Sequence, residues 1–226
     1  MNKFLIMTKS EQVTGWAWFV IQLFFLPVLV TFLNELLHLG LSVAMLNVIL
    51  FTANFLAVIV IFHRYFSVQL RCVQFTALAI WIPLGWLVYC LLATVVSYVV
   101  PILQPDHVNA NNDTVSILLK QQPLLMTIGI VFLGPIAEET LYRGLLFGQL
   151  YKLHPLLGYI VSTLIFAAVH VVGYIGLQDP FSLLVSLLQY LPAGFAFGFV
   201  YVKSKTLIAP IVIHILINAL ATLVLR

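Results

Sequence analysis

The sequence predicts an all-α fold, a polytopic transmembrane bundle of about seven helical spans. Hydrophobic residues make up 63% of its 226 positions and charged residues only 8%, whereas soluble domains carry about 25% charged residues. So few charges cannot cover a water-facing surface, and lipid must therefore surround most of the chain. Its apolar runs are also long enough to cross a bilayer, which takes about 20 helical residues.

Seven apolar segments meet this length or come close to it. The third contains Pro83, where a proline can kink a helix, and the fourth is interrupted by Gly134 and Pro135. One clearly polar loop, QPDHVNANNDTVS, separates these two segments. The predicted spans are Trp16–Leu36, Leu41–Phe62, Phe75–Leu103, Pro123–Leu150, Leu156–Val172, Phe181–Val202 and Leu207–Leu225.

Basic residues alternate between the two sides of the predicted bundle. They precede span one, as Lys3 and Lys9, and they recur in the connections after spans two, four and six. Because cytoplasmic connections are enriched in Lys and Arg, we expect a cytoplasmic amino terminus and an external carboxyl terminus. The net charge of +3 is small and scattered, so we expect the lipid bilayer as a partner and no nucleic acid.

Three groups of polar residues lie inside the predicted spans. An ionisable residue in a span is by default a candidate functional residue. The groups are Glu138, Glu139 and Arg143 in span four, His170 in span five, and His214 with Asn218 in span seven.

The spacing of the first group predicts different surroundings for its two carboxylates. Residues four apart share a helix face, so Glu139 and Arg143 are natural partners. Glu138 points about 100° away and has no local cation. A carboxylate held away from water becomes more basic, which suits a general base. The alternative is one buried structural network of both glutamates and the arginine, since buried ions are usually paired whatever their role.

His214 and Asn218 are also four residues apart and share a face. Asn offers two amide donors, which suit the stabilisation of an oxyanion, while His can act likewise or bind a metal. The structural alternative is hydrogen bonding between helices, and we assign Asn47, Asn54 and Gln189 to that role.

Depth along the spans allows the three groups to meet. With a rise of about 1.5 Å per residue, all of them fall within the hydrocarbon slab of about 30 Å. His214 lies nearest the basic end of its span, so we expect one intramembrane cavity that opens to the cytoplasm. Gly194 and Gly198 form a small-residue face that predicts close helix packing.

The motifs resemble those of the CAAX prenyl protease and bacteriocin-processing family (CPBP, or Abi), which includes the type II CAAX prenyl proteases. The family pattern is Glu-Glu-x-x-x-Arg, then Phe-x-x-x-His, then His-x-x-x-Asn. It corresponds here to Glu138, Glu139 and Arg143, to Phe166 and His170, and to His214 and Asn218. We therefore expect one integral-membrane domain over residues 1–226, with variable spans in 1–117 and the CPBP catalytic core in 118–226.

The resemblance implies an intramembrane endopeptidase. It implies that Glu138 and His170 activate a water molecule, and that His214 and Asn218 stabilise the oxyanion. Glu139, Arg143 and Phe166 would support the site. The implied substrate is a peptide or lipidated protein, cut near its carboxyl terminus or leader. The processes implied are peptide maturation, CAAX-type processing or bacteriocin self-immunity.

Zinc is an open question at this stage. Glu138, His170 and His214 could ligate it and leave one position open. However, no His-Glu-x-x-His helix is present, and an asparagine fits oxyanion binding better than zinc binding. We therefore expect no cofactor.

Two other functions compete with a protease. A proton-coupled transporter also uses intramembrane Glu, His and Arg, but it usually has a polar path across both leaflets. A non-catalytic bacteriocin-immunity or scaffold protein could keep the fold and bind a partner. The small size favours a prokaryotic member, and hence the bacterial cell membrane.

Overall fold

The computed structural model describes residues 7–225 and is helical almost throughout, so the predicted all-α bundle is confirmed. Lys3, which contributed to the predicted orientation, lies outside the described residues, and the orientation stays a prediction. The helices are α1 (Lys9–Leu36), α2 (Val43–Ile61), α3 (His63–Arg71), α4 (Phe75–Leu103), α5 (Ala110–Gln121), α6 (Pro123–Leu153), α7 (Pro155–Val169), α8 (Pro180–Ser204) and α9 (Ile208–Leu225).

Six of the helices in residues 7–225 are long and apolar enough to cross a membrane. They correspond to six of the seven predicted spans. The fifth predicted span, Leu156–Val172, is shorter than expected, because α7 has 15 residues and ends before His170. A turn of 3-10 helix follows at Val172–Tyr174, and Gly176 then has a positive φ of 84°. A helix of this length falls short of the about 20 residues of a full crossing.

The polar loop between spans three and four is partly helical, which differs from the prediction. Asn109 begins α5 by accepting hydrogen bonds from the backbone N–H groups of Asn111 and Asn112. An asparagine in this position satisfies N–H groups that have no partner within the helix. Near the end of α5, Leu118 and Leu119 are buried against α2 and α6. The loop thus covers one end of the bundle.

Chain direction gives the bundle two distinct ends. We call the end with the connections α2–α4, α6–α7 and α8–α9 the basic end, and the end with α5 the loop end. Buried side chains close the basic end: the Tyr65 and Tyr201 hydroxyls are 2.6 Å apart. Glu11, also buried, accepts a hydrogen bond of 2.7 Å from the Tyr65 backbone N–H. Gln69 accepts another from the Leu207 N–H, so this end is tightly packed.

Helix α8 lies at the centre and packs most extensively against α4 and α7. Its two glycines are the contact points that the small-residue pattern predicted. A Cβ added at Gly194 would lie 2.9 Å from the Thr163 Cγ2 and 3.2 Å from the Thr163 Cα. A Cβ at Gly198 would lie 3.1 Å from the Phe147 ring. The predicted packing role of both glycines is confirmed.

This contact yields a prediction with a definite sign. Helix propensity alone favours alanine over glycine by roughly 0.5–1 kcal/mol. We expect Gly194→Ala instead to lower the free energy of unfolding by about 1–3 kcal/mol, because the new methyl group overpacks the contact with Thr163. Unfolding of purified protein in detergent measures the effect. Gly173→Ala is the control, since nothing lies within 4 Å of its added Cβ. A more stable Gly194→Ala protein would contradict the packing account.

Candidate active site

One cavity of about 570 Å³ brings the predicted chemical residues together. Glu138 comes from α6, His170 follows the end of α7, and His214 and Asn218 come from α9. These residues are up to 80 positions apart in the sequence, and the antiparallel packing of three helices places them side by side. Volumes of about 300–1,000 Å³ are typical of ligand sites.

Glu139 and Arg143 form the ion pair expected from their spacing. The Arg143 Nε lies 3.2 Å from the Glu139 Oε2, and both side chains are fully buried. Arg143 also donates a hydrogen bond to the Gly194 carbonyl at 3.2 Å. Its guanidinium lies over the Phe166 ring, 4.3 Å from the ring centroid. Such a cation–π contact helps to compensate a buried charge, and it explains why an aromatic residue precedes His170 by one turn.

The second oxygen of Glu139 holds a residue of the cavity. His214 Nδ1 lies 2.9 Å from the Glu139 Oε1, and the imidazole stacks on the Phe197 ring at 4.7 Å. An ionised carboxylate only accepts hydrogen bonds, so Nδ1 is the donor. The His214 Nε2 then faces the Glu138 Oε2, 3.8 Å away. The i, i+4 spacing predicted one partner for Glu139, but could not reveal a second partner from another helix.

Glu138 lies apart from this pair and lines the cavity. Its side chain is 26% exposed, whereas that of Glu139 is fully buried. Within the described residues, its Oε2 is buried and has no hydrogen-bond partner. A buried carboxylate oxygen without a donor is costly unless a water or ligand reaches it. The Glu139 Oε2 also has no hydrogen bond among the described residues, but it is paired with the Arg143 charge, so the ion pair and the exposure distinguish the environments of the two glutamates.

His170 is fixed by its own helix and by a tyrosine. Its Nδ1 lies 2.7 Å from the Phe166 carbonyl oxygen. A carbonyl can only accept, so Nδ1 carries the hydrogen, and Nε2 of the neutral ring is left as an acceptor. The ring stacks on Tyr190, with centroids 4.4 Å apart and planes at 22°. Nothing in the sequence separates Tyr190 from the chain's other tyrosines, and it was not predicted.

Asn218 is held at one amide hydrogen. Its Nδ2 donates a hydrogen bond of 2.8 Å to the Ile130 carbonyl of α6. An asparagine amide has two donors, so a second N–H remains for a ligand.

The backbone around the acidic residues departs from a regular α-helix. Residues Thr140–Phe147 of α6 are π-helical, and so is the preceding segment Gly129–Leu133. Short π-helical segments inside α-helices are frequent at functional sites. The short α-helical segment that carries both glutamates, Gly134–Glu139, lies between the two wider segments.

The cavity lies towards the loop end, and not at the basic end where we expected it to open. Its lining includes Asn109, Asn112 and Leu225, which belong to α5 and to the end of α9. Between His214 and the basic end, Phe147 and Tyr201 fill the interior of the bundle, and both are buried. The depth of His214 in its span was therefore a poor guide, because depth does not reveal which side is packed.

Three amides assigned to helix contacts also line the cavity. Asn54 does bond another helix, accepting from the Trp18 Nε1 at 2.8 Å, and Gln189 accepts from the Asn109 amide. Among residues 7–225, Asn47 bonds only its own helix, donating to the Val43 carbonyl. All three border the same cavity as Glu138. Their polarity within apolar spans made these three residues noticeable in the sequence. The spacing of residues along a helix could not show whether each one contacts another helix or lines a cavity.

The cavity also takes side chains from both parts of the predicted domain division. Gln22, Asn47 and Asn54 precede residue 117, whereas the motif residues follow it. The division into variable and catalytic parts stays a prediction, but the amino-terminal helices help to form the site.

The arrangement of the possible ligands shows whether these residues could form a metal site. Glu138, His170 and His214 all border the cavity. Across residues 7–225, however, no three or more His, Cys, Asp or Glu side chains are grouped so as to hold a metal ion. The His214 Nδ1 is also committed to Glu139.

Fold and site together define an integral-membrane protein with a buried Glu/His/Asn cavity. Comparison with known proteins identifies a matching family. Residues 120–220 match the family model described as type II CAAX prenyl endopeptidase Rce1-like. This segment contains all seven motif residues, so the resemblance seen in the motifs is confirmed.

Two curated bacterial proteins are similar to the chain. The proposed membrane peptidase YdiL of Bacillus subtilis (strain 168) is 31% identical over 109 residues, which are 48% of this chain and 40% of YdiL. The membrane-embedded CAAX protease MroQ of Staphylococcus aureus (strain USA300) is 29% identical over 146 residues, which are 61% of this chain and 54% of MroQ. The chain thus spans about half the length of these relatives. No solved structure matches it.

The different environments of the two glutamates lead to a prediction about stability. We expect Glu139→Gln to lower the free energy of unfolding by about 3–5 kcal/mol, because it leaves the buried Arg143 charge without its partner. Glu138→Gln is the matched control, and we expect a change below about 1 kcal/mol. Unfolding of both variants in the same detergent measures the difference. Equal losses would show that the two glutamates form one structural network.

Proposed function

We propose that the protein is an intramembrane endopeptidase that hydrolyses a peptide bond of a membrane-associated peptide. The observation that carries the proposal is the Glu138 carboxylate, which lines the cavity with an oxygen that has no hydrogen-bond partner among the described residues. His170 and His214 border the same space. The similarity to membrane proteases supports the proposal but leaves the substrate open.

The first step is the activation of water. Glu138 takes a proton from a water molecule as its oxygen attacks the carbonyl carbon of the scissile bond. The His170 Nε2, free to accept because Nδ1 is bonded to Phe166, orients the same water. Its stacking on Tyr190 restricts the rotation of the ring.

The second step is the collapse of the tetrahedral intermediate. Its oxyanion accepts a hydrogen bond from the second N–H of Asn218, and another from the Nε2–H of His214 when that imidazole is protonated at both nitrogens, because its Nδ1–H is bonded to Glu139. The C–N bond then breaks, and the proton held by Glu138 passes to the departing nitrogen. One water is consumed, and the products are a carboxylic acid and an amine, which exchange a proton to give a carboxylate and an ammonium group.

In this scheme Glu139, Arg143 and Phe166 do not touch the substrate but position the residues that do. Glu139 holds the His214 ring through Nδ1, which leaves Nε2 directed at the cavity. Arg143 neutralises Glu139 and is itself held by Gly194 and Phe166. Each of the three acts through another residue.

We also propose that hydrolysis requires no metal. The lack of a three-ligand group in the described part of the chain supports this view, and so does the engagement of His214 with Glu139. In this scheme Glu138 and His170 activate the water, and Asn218 and His214 stabilise the oxyanion, so no step assigns a role to a Lewis acid.

The closed basic end favours a protease over a transporter. A transporter needs a path from one side of the membrane to the other. Here the cavity borders α5 at the loop end, while Tyr65, Phe147 and Tyr201 fill the opposite end. A cavity with one closed end suits a site that admits a peptide and releases its fragments on the same side.

The assignment of Glu138 and His170 to water activation predicts that replacing either residue causes a large loss of activity. We expect Glu138→Gln and His170→Ala each to reduce kcat/KM at least about 100-fold, because each removes a group that activates water. The assay uses protein in nanodiscs and a mixture of apolar and farnesylated peptides, with products identified by mass spectrometry. Glu35→Gln is the matched control, since Glu35 is exposed and lies outside the cavity. Wild-type activity in folded Glu138→Gln protein would overturn the mechanism.

Metal independence is tested separately. We expect dialysis against a strong chelator to leave kcat/KM within about twofold, because the proposed groups are all side chains. Metal analysis of the dialysed protein is the control that removal was complete. A loss of activity that returns with added zinc would contradict this part of the proposal.

A further inference from the structure

The start of α5 is joined to the active site through a tyrosine of α8. The Tyr190 hydroxyl donates a hydrogen bond of 3.2 Å to the Asn109 Oδ1 and accepts one of 3.0 Å from the Asn111 Nδ2. These bonds use the hydrogen of the hydroxyl and one of its lone pairs. Both asparagines precede every motif residue in the sequence, and no motif signalled them.

Asn109 is itself held rigidly. Its side-chain oxygen also accepts from the backbone N–H groups of Asn111 and Asn112, and its nitrogen donates to Gln189. The residue is only 8% exposed. Hydrogen bonds of this kind lock a side chain in one rotamer, so Tyr190 is bonded to a fixed group and not to a mobile surface amide.

The connection that precedes α5 is fastened to the same face of α8. Gln104 donates to the Ser182 hydroxyl at 2.8 Å, and the His107 Nε2 lies 3.1 Å from the Ser186 hydroxyl. Residues 182, 186 and 190 are four apart and therefore lie on one side of the helix. Tyr190 is the last of this row, and it is the member that contacts His170.

The Tyr190 ring lies against the His170 imidazole. Their centroids are 4.4 Å apart and their planes meet at 22°. The bond from the His170 Nδ1 to the Phe166 carbonyl fixes one atom of the imidazole, and the ring can still turn about that contact. A stacked neighbour fixes the plane of the ring. The direction of the His170 Nε2 therefore depends on where the Tyr190 ring lies.

The hydroxyl gives the Tyr190 ring a second point of attachment. Stacking alone allows one ring to slide across the other, because offset arrangements of aromatic rings are similar in energy. Here the Cα of Tyr190 belongs to α8, while its hydroxyl is bonded to the start of α5. The ring is held at both ends, and the imidazole stacked on it is held with it.

We propose that Asn109, Asn111 and Tyr190 are positioning residues that hold the His170 ring in the orientation that binds the attacking water. The inference rests on the proposed function, because His170 acts in that mechanism. The three residues act through His170, and none of them takes part in the proton transfers. The α4–α5 connection thus contributes to catalysis although it lies outside the three motifs.

Removal of the hydroxyl alone tests the proposal. Tyr190→Phe keeps the stacked ring, and we expect kcat to fall about tenfold with KM within about twofold, because the variant loses orientation of His170 and not substrate binding. The measurement uses protein in nanodiscs and the peptide cleaved most rapidly in the assay above. An unchanged kcat would overturn the proposal, and so would a change confined to KM.

Tyr174→Phe is the matched control. The Tyr174 hydroxyl also bonds α5, donating to the Thr114 hydroxyl at 2.9 Å, but neither residue lines the cavity. We expect its kcat to stay within about twofold of wild type, because the bond it loses does not lead to His170. Equal losses in the two tyrosine variants would show that these bonds only fasten α5 to the bundle.

Double variants separate positioning from a general effect on the fold. We expect Asn111→Ala to lower kcat about as much as Tyr190→Phe, and the two changes together to cost no more than either alone, because they break one interaction. In the His170→Ala background, we expect Tyr190→Phe to change kcat by less than about twofold, because no imidazole remains to be held. Losses that multiply in both pairs would contradict positioning.

A spectroscopic measurement tests the positioning without requiring cleavage. Solid-state NMR of protein with ¹³C,¹⁵N-labelled histidine measures ring motion through the one-bond C–H dipolar couplings. The His170 signals are those that His170→Gln removes. We expect couplings near the rigid limit in wild type and clearly reduced couplings in Tyr190→Phe, because the imidazole gains motion. Unchanged couplings would overturn the proposal.

The two proposals fail in distinguishable ways. If wild-type protein cleaves no peptide but the His170 couplings fall in Tyr190→Phe, the protease mechanism is wrong and the positioning of the ring stands. If cleavage occurs and neither kcat nor the couplings change in Tyr190→Phe, the mechanism stands and the positioning role is wrong.

Discussion

The site depends on the two interactions of the Glu139 carboxylate, an ion pair and a hydrogen bond. One of its oxygens pairs with Arg143 of the same helix, and the other accepts from His214 of α9, which is distant in the sequence. Through Arg143 the connection continues to the Gly194 carbonyl of α8 and the Phe166 ring of α7. Four helices are thus tied to one buried charge, whose energetic cost is high unless every partner is present.

This arrangement leaves the neighbouring carboxylate free for chemistry. Successive residues of a helix point about 100° apart, so the rigid network around Glu139 directs Glu138 towards the cavity. There its Oε2 lies 3.8 Å from the His214 Nε2, and several asparagines and glutamines line the same cavity.

Much of this architecture is predictable from the sequence. Apolar length gives the spans, and the i, i+4 rule gives the Glu139–Arg143 pair because it acts within one helix. Contacts between helices cannot be predicted in the same way. The second bond of Glu139 to His214 depends on a register between α6 and α9 that no local spacing encodes.

The same limit explains the other differences. Asn47, Asn54 and Gln189 look alike whether they join helices or border a cavity. Tyr190 acquires its place against His170 only when α7 and α8 pack. The position of the cavity towards the loop end depends on the side chains that fill the basic end, such as Tyr65 and Tyr201, and hydropathy does not reveal that packing.

The central claim is that Glu138 activates water directly, and a single turnover in H₂¹⁸O tests it. With enzyme in excess over peptide, we expect the new carboxyl group of the product to contain one ¹⁸O atom, because the attacking oxygen comes from water. A product that contains only ¹⁶O, together with ¹⁸O in the Glu138 side chain, would contradict the account. That result would mean that the carboxylate attacks the substrate itself.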